Sequence, residues 1–162
     1  MRRIIIFLIG LLLFILDNTL MPFFSIKGYY PSLLFIFMIF YSINSEKFDA
    51  VIFGVFIGLF QDLYMSRIIG INPLANICVC LIAAIIGENI IKVKKIVPVF
   101  SLFLLSILKS SIVVGLLYVV GIKTYYNVIL YRAIYTTIIS VFLYRIIYNF
   151  MQKSFMKKEW RF

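Results

Sequence analysis

The chain has 162 residues, of which 64% are hydrophobic, 18% aromatic and 14% charged. A soluble globular domain is about half apolar and about a quarter charged, so this composition excludes one and places the chain in a lipid bilayer. The formal net charge of +10 comes from basic residues at the ends of apolar runs, where they set topology and meet lipid headgroups. We therefore expect membrane lipids, and not nucleic acid, as partners.

The residues that catalysis or metal binding needs are scarce in this sequence. There is no histidine, and the two cysteines, Cys78 and Cys80, lie two positions apart in an apolar run, so they face different sides of a helix. No phosphate-binding glycine loop and no serine–histidine pairing is present. The sequence predicts a protein without enzymatic activity, metal or other cofactor.

Six apolar runs predict an all-α integral membrane protein, a bundle of six spans within one membrane domain, residues 1–162. The first run follows two arginines but contains Asp17 and has no small-residue cleavage site, so we expect an uncleaved span. The predicted spans are about 4–24, 31–43, 50–64, 73–91, 96–122 and 125–150, followed by a basic cytoplasmic tail at 151–162.

Helix-start signals precede three of these spans. Pro31 is predicted in the first turn of the second span, where its missing N–H costs nothing. Asp49 is predicted to cap the third span, and Asn72 with Pro73 to begin the fourth. The second and third spans reach only ~20 Å and ~22 Å at 1.5 Å per residue, against a hydrocarbon core of ~30 Å. They must extend into their loops, thin the bilayer or pack inside the bundle.

The orientation of the chain in the membrane is predicted from the number of lysine and arginine residues in the segments on each side. With the N-terminus in the cytoplasm, ten basic residues lie inside and three outside, as the positive-inside rule requires. The inside group is Arg2, Arg3, Lys47, Lys92, Lys94, Lys95, Lys153, Lys157, Lys158 and Arg161, and the outside group is Lys27, Arg67 and Lys123. We predict a multi-pass protein of the bacterial cell membrane with both termini cytoplasmic.

Six charged residues lie inside or at the edges of the apolar runs. Glu88 lies one turn before Lys92 and Arg145 can extend to the cytoplasmic headgroups, so four need an account: Asp17, Asp62, Lys109 and Arg132. Charge inside a membrane is expensive enough to be paired, solvated or functional. One interpretation is an ion or proton path, and the other is an internal ion-pair network that fixes helix assembly. We favour the network, because a proton relay usually needs several titratable groups staggered in depth and the chain has no histidine.

Gly54 and Gly58 form a GxxxG pair in the third span, with Asp62 one turn further on the same face. Small residues at this spacing let two helices approach closely. The pair predicts either packing within the bundle or a face that receives a partner helix.

The segment around these residues resembles the family of the rod shape-determining protein MreD. The resemblance extends over the whole chain in length and span order, and its specific part is the pattern GLxxD…LGxxxL, with Ile69 in place of the first leucine of the second half. The residues that match this pattern or lie within it are Gly58, Leu59, Asp62, Gly70, Pro73 and Leu74.

This resemblance implies a non-enzymatic scaffold or regulatory subunit of the bacterial cell-wall elongation complex, required for rod shape and lateral peptidoglycan synthesis. The partners it implies are MreC above all, then RodA, a penicillin-binding transpeptidase, and MreB directly or through MreC. Under this hypothesis the transmembrane helix of MreC docks at Gly54 and Gly58, while Asp62 anchors the end of the bundle or caps the linker that follows.

The fold implied by the resemblance is similar to that of the substrate-binding subunits of energy-coupling-factor transporters, which suggests an alternative function. In that alternative, Asp17, Asp62 and Arg132 hold a polar ligand in an outward-facing pocket of a vitamin transporter. The single tryptophan, Trp160, lies in the tail, and few polar residues lie on the outer side to recognise a ligand. We therefore favour the scaffold.

Overall fold

The computed structural model describes residues 2–25, 30–65, 68–89, 96–121 and 127–151. Within these ranges the chain is helical and contains no strand. The elements are α1 (Arg2–Thr19), a short 3₁₀ turn (Met21–Phe24), α2 (Leu33–Ile43), α3 (Lys47–Met65), α4 (Ile71–Asn89), α5 (Ile96–Val119) and α6 (Asn127–Met151). Each predicted apolar run overlaps one α-helix, and the predicted basic tail lies outside the described residues from position 152 onwards.

Several helix bounds differ from the sequence-based predictions. Pro31 lies outside α2, since Ser32 is the N-cap and its hydroxyl accepts a hydrogen bond from the N–H of Phe35. The helix α3 begins at Lys47, so Asp49 lies in its first turn and is not its cap. The helix α4 begins at Ile71, one residue before the predicted cap Asn72. The helix α1 ends at Thr19, because Pro22 belongs to the 3₁₀ turn that follows.

The helix α2 is the centre of the bundle. It has 11 residues, about 16 Å at 1.5 Å per residue, and its residues from Leu34 to Ser42 are all buried. It contacts each of the other five helices. Of the three ways to accommodate a short apolar helix, this chain encloses it in the bundle, whereas α3 lengthens to 19 residues by extending into its loop.

The helix α4 packs closely on both α2 and α3. An added Cβ at Gly87 would overlap the backbone of Ile43, so α2 and α4 approach each other at backbone distance at this point. Aromatic rings pack between α2 and α3, where the ring of Phe53 lies edge-on against Phe37 at 6.0 Å and Tyr41 at 5.1 Å between centroids. Interiors of this kind are close-packed, so these contacts fix the positions of α3 and α4 around α2.

Two ion pairs lie at the end of the bundle where α1 and α3 begin. Arg3 Nη2 lies 2.7 Å from Asp49 Oδ1, which joins α1 to α3. Lys47 Nζ lies 2.8 Å from Glu88 Oε2, which joins α3 to α4. These pairs hold the helix ends together at the end predicted to face the cytoplasm.

Among the residues that the structure describes, two helices are long and apolar enough to cross a membrane: Ile71–Asn89, which is α4, and Val97–Val119, which is nearly all of α5. Leu33–Ile43 and Ala133–Ile147 are shorter apolar helical segments. The orientation with both termini in the cytoplasm stays a prediction.

Candidate functional site

Asp17, near the end of α1, caps the start of α2. The residue is 7% exposed, and its carboxylate accepts hydrogen bonds from Ser32, Leu33 and Leu34. Ser32 Oγ donates to Oδ2 at 2.7 Å, the N–H of Leu33 donates to Oδ1 at 2.8 Å, and the N–H of Leu34 donates to Oδ2 at 3.1 Å. The first N–H groups of a helix have no partner within it and attract negative charge, so the carboxylate satisfies donors that would otherwise be buried without partners.

Asp62, near the end of α3, performs the same task for α4. Its side chain is fully buried. Oδ2 accepts the N–H of Gly70 at 2.6 Å, and Oδ1 accepts the N–H of Asn72 at 3.2 Å and its side-chain Nδ2 at 2.7 Å. Gly70 has φ +114°, a left-handed conformation that glycine adopts without strain. One carboxylate and one glycine therefore turn the chain from α3 into α4.

Gly54 and Gly58 both face α4 of the same chain. An added Cβ at Gly58 would lie 2.5 Å from both Cα and N of Pro73. An added Cβ at Gly54 would lie 2.8 Å from Cys80 Sγ and 3.2 Å from the carbonyl oxygen of Asn76. This geometry matches the first of the two interpretations of the GxxxG pair, packing within the bundle, and it leaves no room for a partner helix between these glycines and α4.

The two leucines of the predicted motif lie on the surface. Leu59 is 42% exposed and Leu74 is 50% exposed, although the residue before each of them, Gly58 and Pro73, forms the close α3–α4 contact. The α3–α4 contact therefore accounts for Gly58 and Pro73, and the turn between these helices accounts for Asp62 and Gly70. The two leucines are explained only in part by this geometry.

Lys109, the third of the predicted intramembrane charges, reaches α3 from the middle of α5. Its Nζ donates to Gln61 Oε1 at 3.2 Å and lies 5.2 Å from the centroid of the Phe35 ring. Arg132 belongs to α6, and its side chain lies outside the described part of the molecule. The ion-pair network and the proton path of Asp17, Asp62, Lys109 and Arg132 both stay predictions.

The sequence-based interpretation assigned no role to four residues that contribute to this region: Ser32, Gln61, Asn76 and Gly87. Ser32 directly precedes an apolar helical run, which is an N-cap signal. Gly87 follows Ala83 at the spacing of small residues that permits close helix packing. Gln61 and Asn76 are polar residues in apolar runs, but the sequence did not show that they face each other.

Ligands for a metal are sparse in the described ranges, which contain no group of three histidine, cysteine, aspartate or glutamate side chains placed to hold an ion. Cys78 and Cys80 are free thiols. The carboxylates that do lie in the interior bind backbone N–H groups and side-chain donors of the following helices. The chemistry of this region is therefore that of helix positioning.

Among the described residues the chain is an apolar helical bundle whose buried carboxylates Asp17 and Asp62 cap its own helices, an architecture typical of helical membrane proteins. The sequence matches the family of the rod shape-determining protein MreD over residues 1–154, and the chain belongs to this family. It is accordingly a membrane protein involved in rod shape determination. No curated protein and no solved structure matches the chain, so the similarity to energy-coupling-factor transporter subunits is not shown.

Proposed function

We propose that this chain is a non-enzymatic membrane subunit of the bacterial cell-wall elongation complex and that it docks the transmembrane helix of MreC. The observation that carries the proposal is the family match over residues 1–154 of 162. RodA, a penicillin-binding transpeptidase and MreB are the further partners in this proposal, MreB either directly or through MreC.

The docking surface in this proposal lies beside the glycine pair and not on it. Because α4 occupies the face of Gly54 and Gly58, a helix from a partner must use the neighbouring surface. Leu59 and Leu74 are large, exposed apolar side chains that follow the two residues in closest α3–α4 contact. In a membrane, a rigid pair of helices that presents such side chains offers a surface on which another helix gains van der Waals contact.

The helix caps contribute to this function by fixing the geometry of the docking surface. Asp62 binds Gly70 and Asn72 and so sets how α4 leaves the turn after α3. A binding surface made from two helices loses affinity when the helices shift relative to each other, because fewer contacts form at once. In this proposal Asp62 is a positioning residue for partner binding.

The two exposed leucines provide the test. We expect the double variant Leu59→Ala, Leu74→Ala to insert and fold normally, because both side chains are half exposed. In co-purification from detergent-solubilised membranes, we expect it to retain at most about a tenth of the MreC that the wild-type protein retains. A tenfold loss of affinity corresponds to a binding free energy weaker by ~1.4 kcal/mol. The readout is the ratio of MreC to this protein on a quantitative immunoblot, together with cell shape.

The matched control removes two exposed apolar side chains elsewhere, Leu12→Ala and Ile138→Ala, which are 57% and 54% exposed on α1 and α6. This control is expected to keep wild-type association with MreC. Equal loss in both double variants would mean that apolar surface in general, and not this surface, holds the partner. Full association of the Leu59 and Leu74 variant would remove the surface from the interface.

A further inference from the structure

The 3₁₀ turn at Met21–Phe24 presents apolar side chains to the surroundings of the protein. None of its residues is buried. Phe23 is 84% exposed, and its neighbour Phe24 and the preceding Leu20 are exposed as well. Apolar surface of this density is unfavourable in water, so the turn needs an apolar environment. The turn has no part in the helix caps or in the proposed docking surface.

The backbone of this turn is bonded within the chain. Pro22 has no N–H group to satisfy. The N–H of Phe23 donates to the carbonyl oxygen of Leu20 at 3.1 Å, and the N–H of Ser25 donates to that of Pro22 at 3.2 Å. Backbone that faces the hydrocarbon core of a membrane must bond its polar groups internally, because no water is present there. These bonds meet that condition without a regular α-helix.

A hydroxyl from α6 supplies a further bond to the turn. Tyr135 Oη donates to the carbonyl oxygen of Phe24 at 2.9 Å. Tyr135 lies eight residues after Asn127, the first residue of α6, which corresponds to about 12 Å along the helix. The turn therefore meets α6 well inside the length of that helix and not at its end.

The polar side chains at the end of α1 also bond to their own helix. Asn18 Nδ2 donates to the carbonyl oxygen of Phe14 at 2.9 Å, and Thr19 Oγ1 donates to that of Ile15 at 2.8 Å. A polar side chain that bonds one turn back along its helix is accommodated in lipid, because it needs no donor or acceptor from the solvent. These two residues therefore do not require the end of α1 to reach water.

The length of α1 places the turn within the thickness of the hydrocarbon core. Arg3 forms its ion pair with Asp49 at the opposite end of α1, and charged side chains at helix ends extend to the headgroups. Thr19 lies sixteen residues further along the same helix, about 24 Å at 1.5 Å per residue, whereas the core is ~30 Å thick. The turn therefore begins about 6 Å below the far edge of the core.

We propose that the 3₁₀ turn is a lipid anchor whose two phenylalanine rings lie among the acyl chains of the leaflet opposite Arg3. An irregular connection usually lies in water or among headgroups, because its backbone needs their donors and acceptors. This turn lies deeper because its own chain and Tyr135 supply those groups. Acyl chains fit the surface better than a partner helix does, because residues 20–24 include no small residue at which a second helix could approach closely.

A tryptophan in place of Phe23 reports the depth of the turn in phosphatidylcholine vesicles. The variant Phe23→Trp is combined with Trp160→Phe, because Trp160 is the only tryptophan in the sequence. Its fluorescence is quenched by lipids brominated at defined acyl positions. We expect the strongest quenching by bromines about 9 Å from the bilayer centre, since half of the core is ~15 Å and the turn begins about 6 Å below its edge. Strongest quenching at the edge of the core, or no quenching by any brominated lipid, overturns the proposal.

Phe48 provides the matched control, because it is an exposed phenylalanine at the other end of the bundle. It is 68% exposed in the first turn of α3, directly after Lys47, which pairs with Glu88. The variant Phe48→Trp, again with Trp160→Phe, is expected to be quenched most strongly about 15 Å from the bilayer centre. Its emission is expected at a longer wavelength than that of the tryptophan at position 23. Equal depths for the two tryptophans overturn the proposal.

The role of the Tyr135 hydroxyl is tested in the Phe23→Trp protein. Tyr135→Phe leaves the Phe24 carbonyl without this donor, so we expect the tryptophan to move outward to about 15 Å from the centre, where headgroups and water supply donors. Tyr118→Phe removes the hydroxyl of an exposed tyrosine on α5 and is expected to leave the depth unchanged. An unchanged depth in Tyr135→Phe, or an equal change in both variants, overturns the role of this hydroxyl. These measurements use neither MreC nor cell-wall enzymes, so their failure leaves the proposed scaffold function untouched.

Discussion

Asp62 Oδ2 and the backbone N–H of Gly70 form a 2.6 Å hydrogen bond across the turn from α3 to α4, eight positions along the chain. The carboxylate is fully buried, and its other oxygen accepts two donors of Asn72. The turn that contains the family motif is thus closed by one side chain. Asp17 forms the equivalent closure between α1 and α2, so two consecutive helix pairs are fixed in the same way.

We expect Asp62→Ala to lower the free energy of unfolding by about 3 kcal/mol, because buried donors of Gly70 and Asn72 lose a charged acceptor. Asp62→Asn retains one acceptor oxygen, so we expect its free energy of unfolding to fall by about half as much. The thermal midpoint Tm of the purified protein in detergent measures both. A wild-type Tm for Asp62→Ala would contradict the assigned cap.

The cap at the start of α2 predicts which of two variants loses more stability. Asp17→Ala removes the acceptor for Ser32 Oγ and two backbone N–H groups, and we expect a loss of about 3 kcal/mol. Ser32→Ala removes an N-cap hydroxyl but leaves the carboxylate in place, and we expect about 1 kcal/mol. Chemical denaturation of the two variants side by side gives the order. A larger effect for Ser32→Ala would show that the hydroxyl and not the carboxylate holds the start of α2.

The helical glycines predict opposite effects of one added methyl group. Gly58→Ala places Cβ 2.5 Å from the backbone of Pro73, so α3 and α4 must separate, at an expected cost of about 1–3 kcal/mol. At Gly115 an added Cβ meets no atom within 4 Å, and Gly115→Ala is expected to stabilise α5 by about 0.5–1 kcal/mol. The Tm values of the Gly58→Ala and Gly115→Ala variants, measured in the same detergent, distinguish these two effects. Equal shifts of the same sign would contradict the packing of Gly58 on α4.

We expect the ion pair between Lys47 and Glu88 to contribute little to the stability of the protein. The two side chains are 48% and 52% exposed, so water and salt screen their attraction. We expect Glu88→Gln to change stability by less than about 1 kcal/mol, and less still at high ionic strength. A salt titration of Tm for the variant and the wild-type protein checks this expectation. A loss comparable to that of Asp62→Ala would mean that the pair is buried in the membrane-embedded protein.

The sequence predicted the positions of the helices well and their starts less well. Apolar runs are a property of the local sequence, so each predicted run overlaps one α-helix. A helix start depends on which acceptor reaches its first N–H groups. For α4 that acceptor is Asp62, ten residues before Asn72, and for α2 the N-cap Ser32 is joined by Asp17 from the preceding helix. Local signals at Pro31, Asp49 and Asn72 therefore indicated the right regions, with helix starts shifted by two or three residues.

In the candidate site, too, the sequence predicted some features, and others became visible only in the structure. The spacing of Gly54 and Gly58 predicted a close helix contact, but a spacing does not identify the neighbour, and the structure identifies it as α4. Asp17, Asp62 and Lys109 were singled out because charge is costly in an apolar run. Which group each of them binds depends on residues from other parts of the chain, among them Ser32, Gly70 and Gln61.

By itself the sequence determined that this protein is an apolar helical bundle of the MreD family, because composition, hydrophobic run length and the motif from Gly58 to Leu74 are properties of the chain taken in order. The tertiary structure decided that the short α2 lies at the centre and that Asp17 and Asp62 cap the helices that follow them. It also decided that the glycine face is occupied from within. These features depend on contacts between distant residues, and only packing brings such residues together.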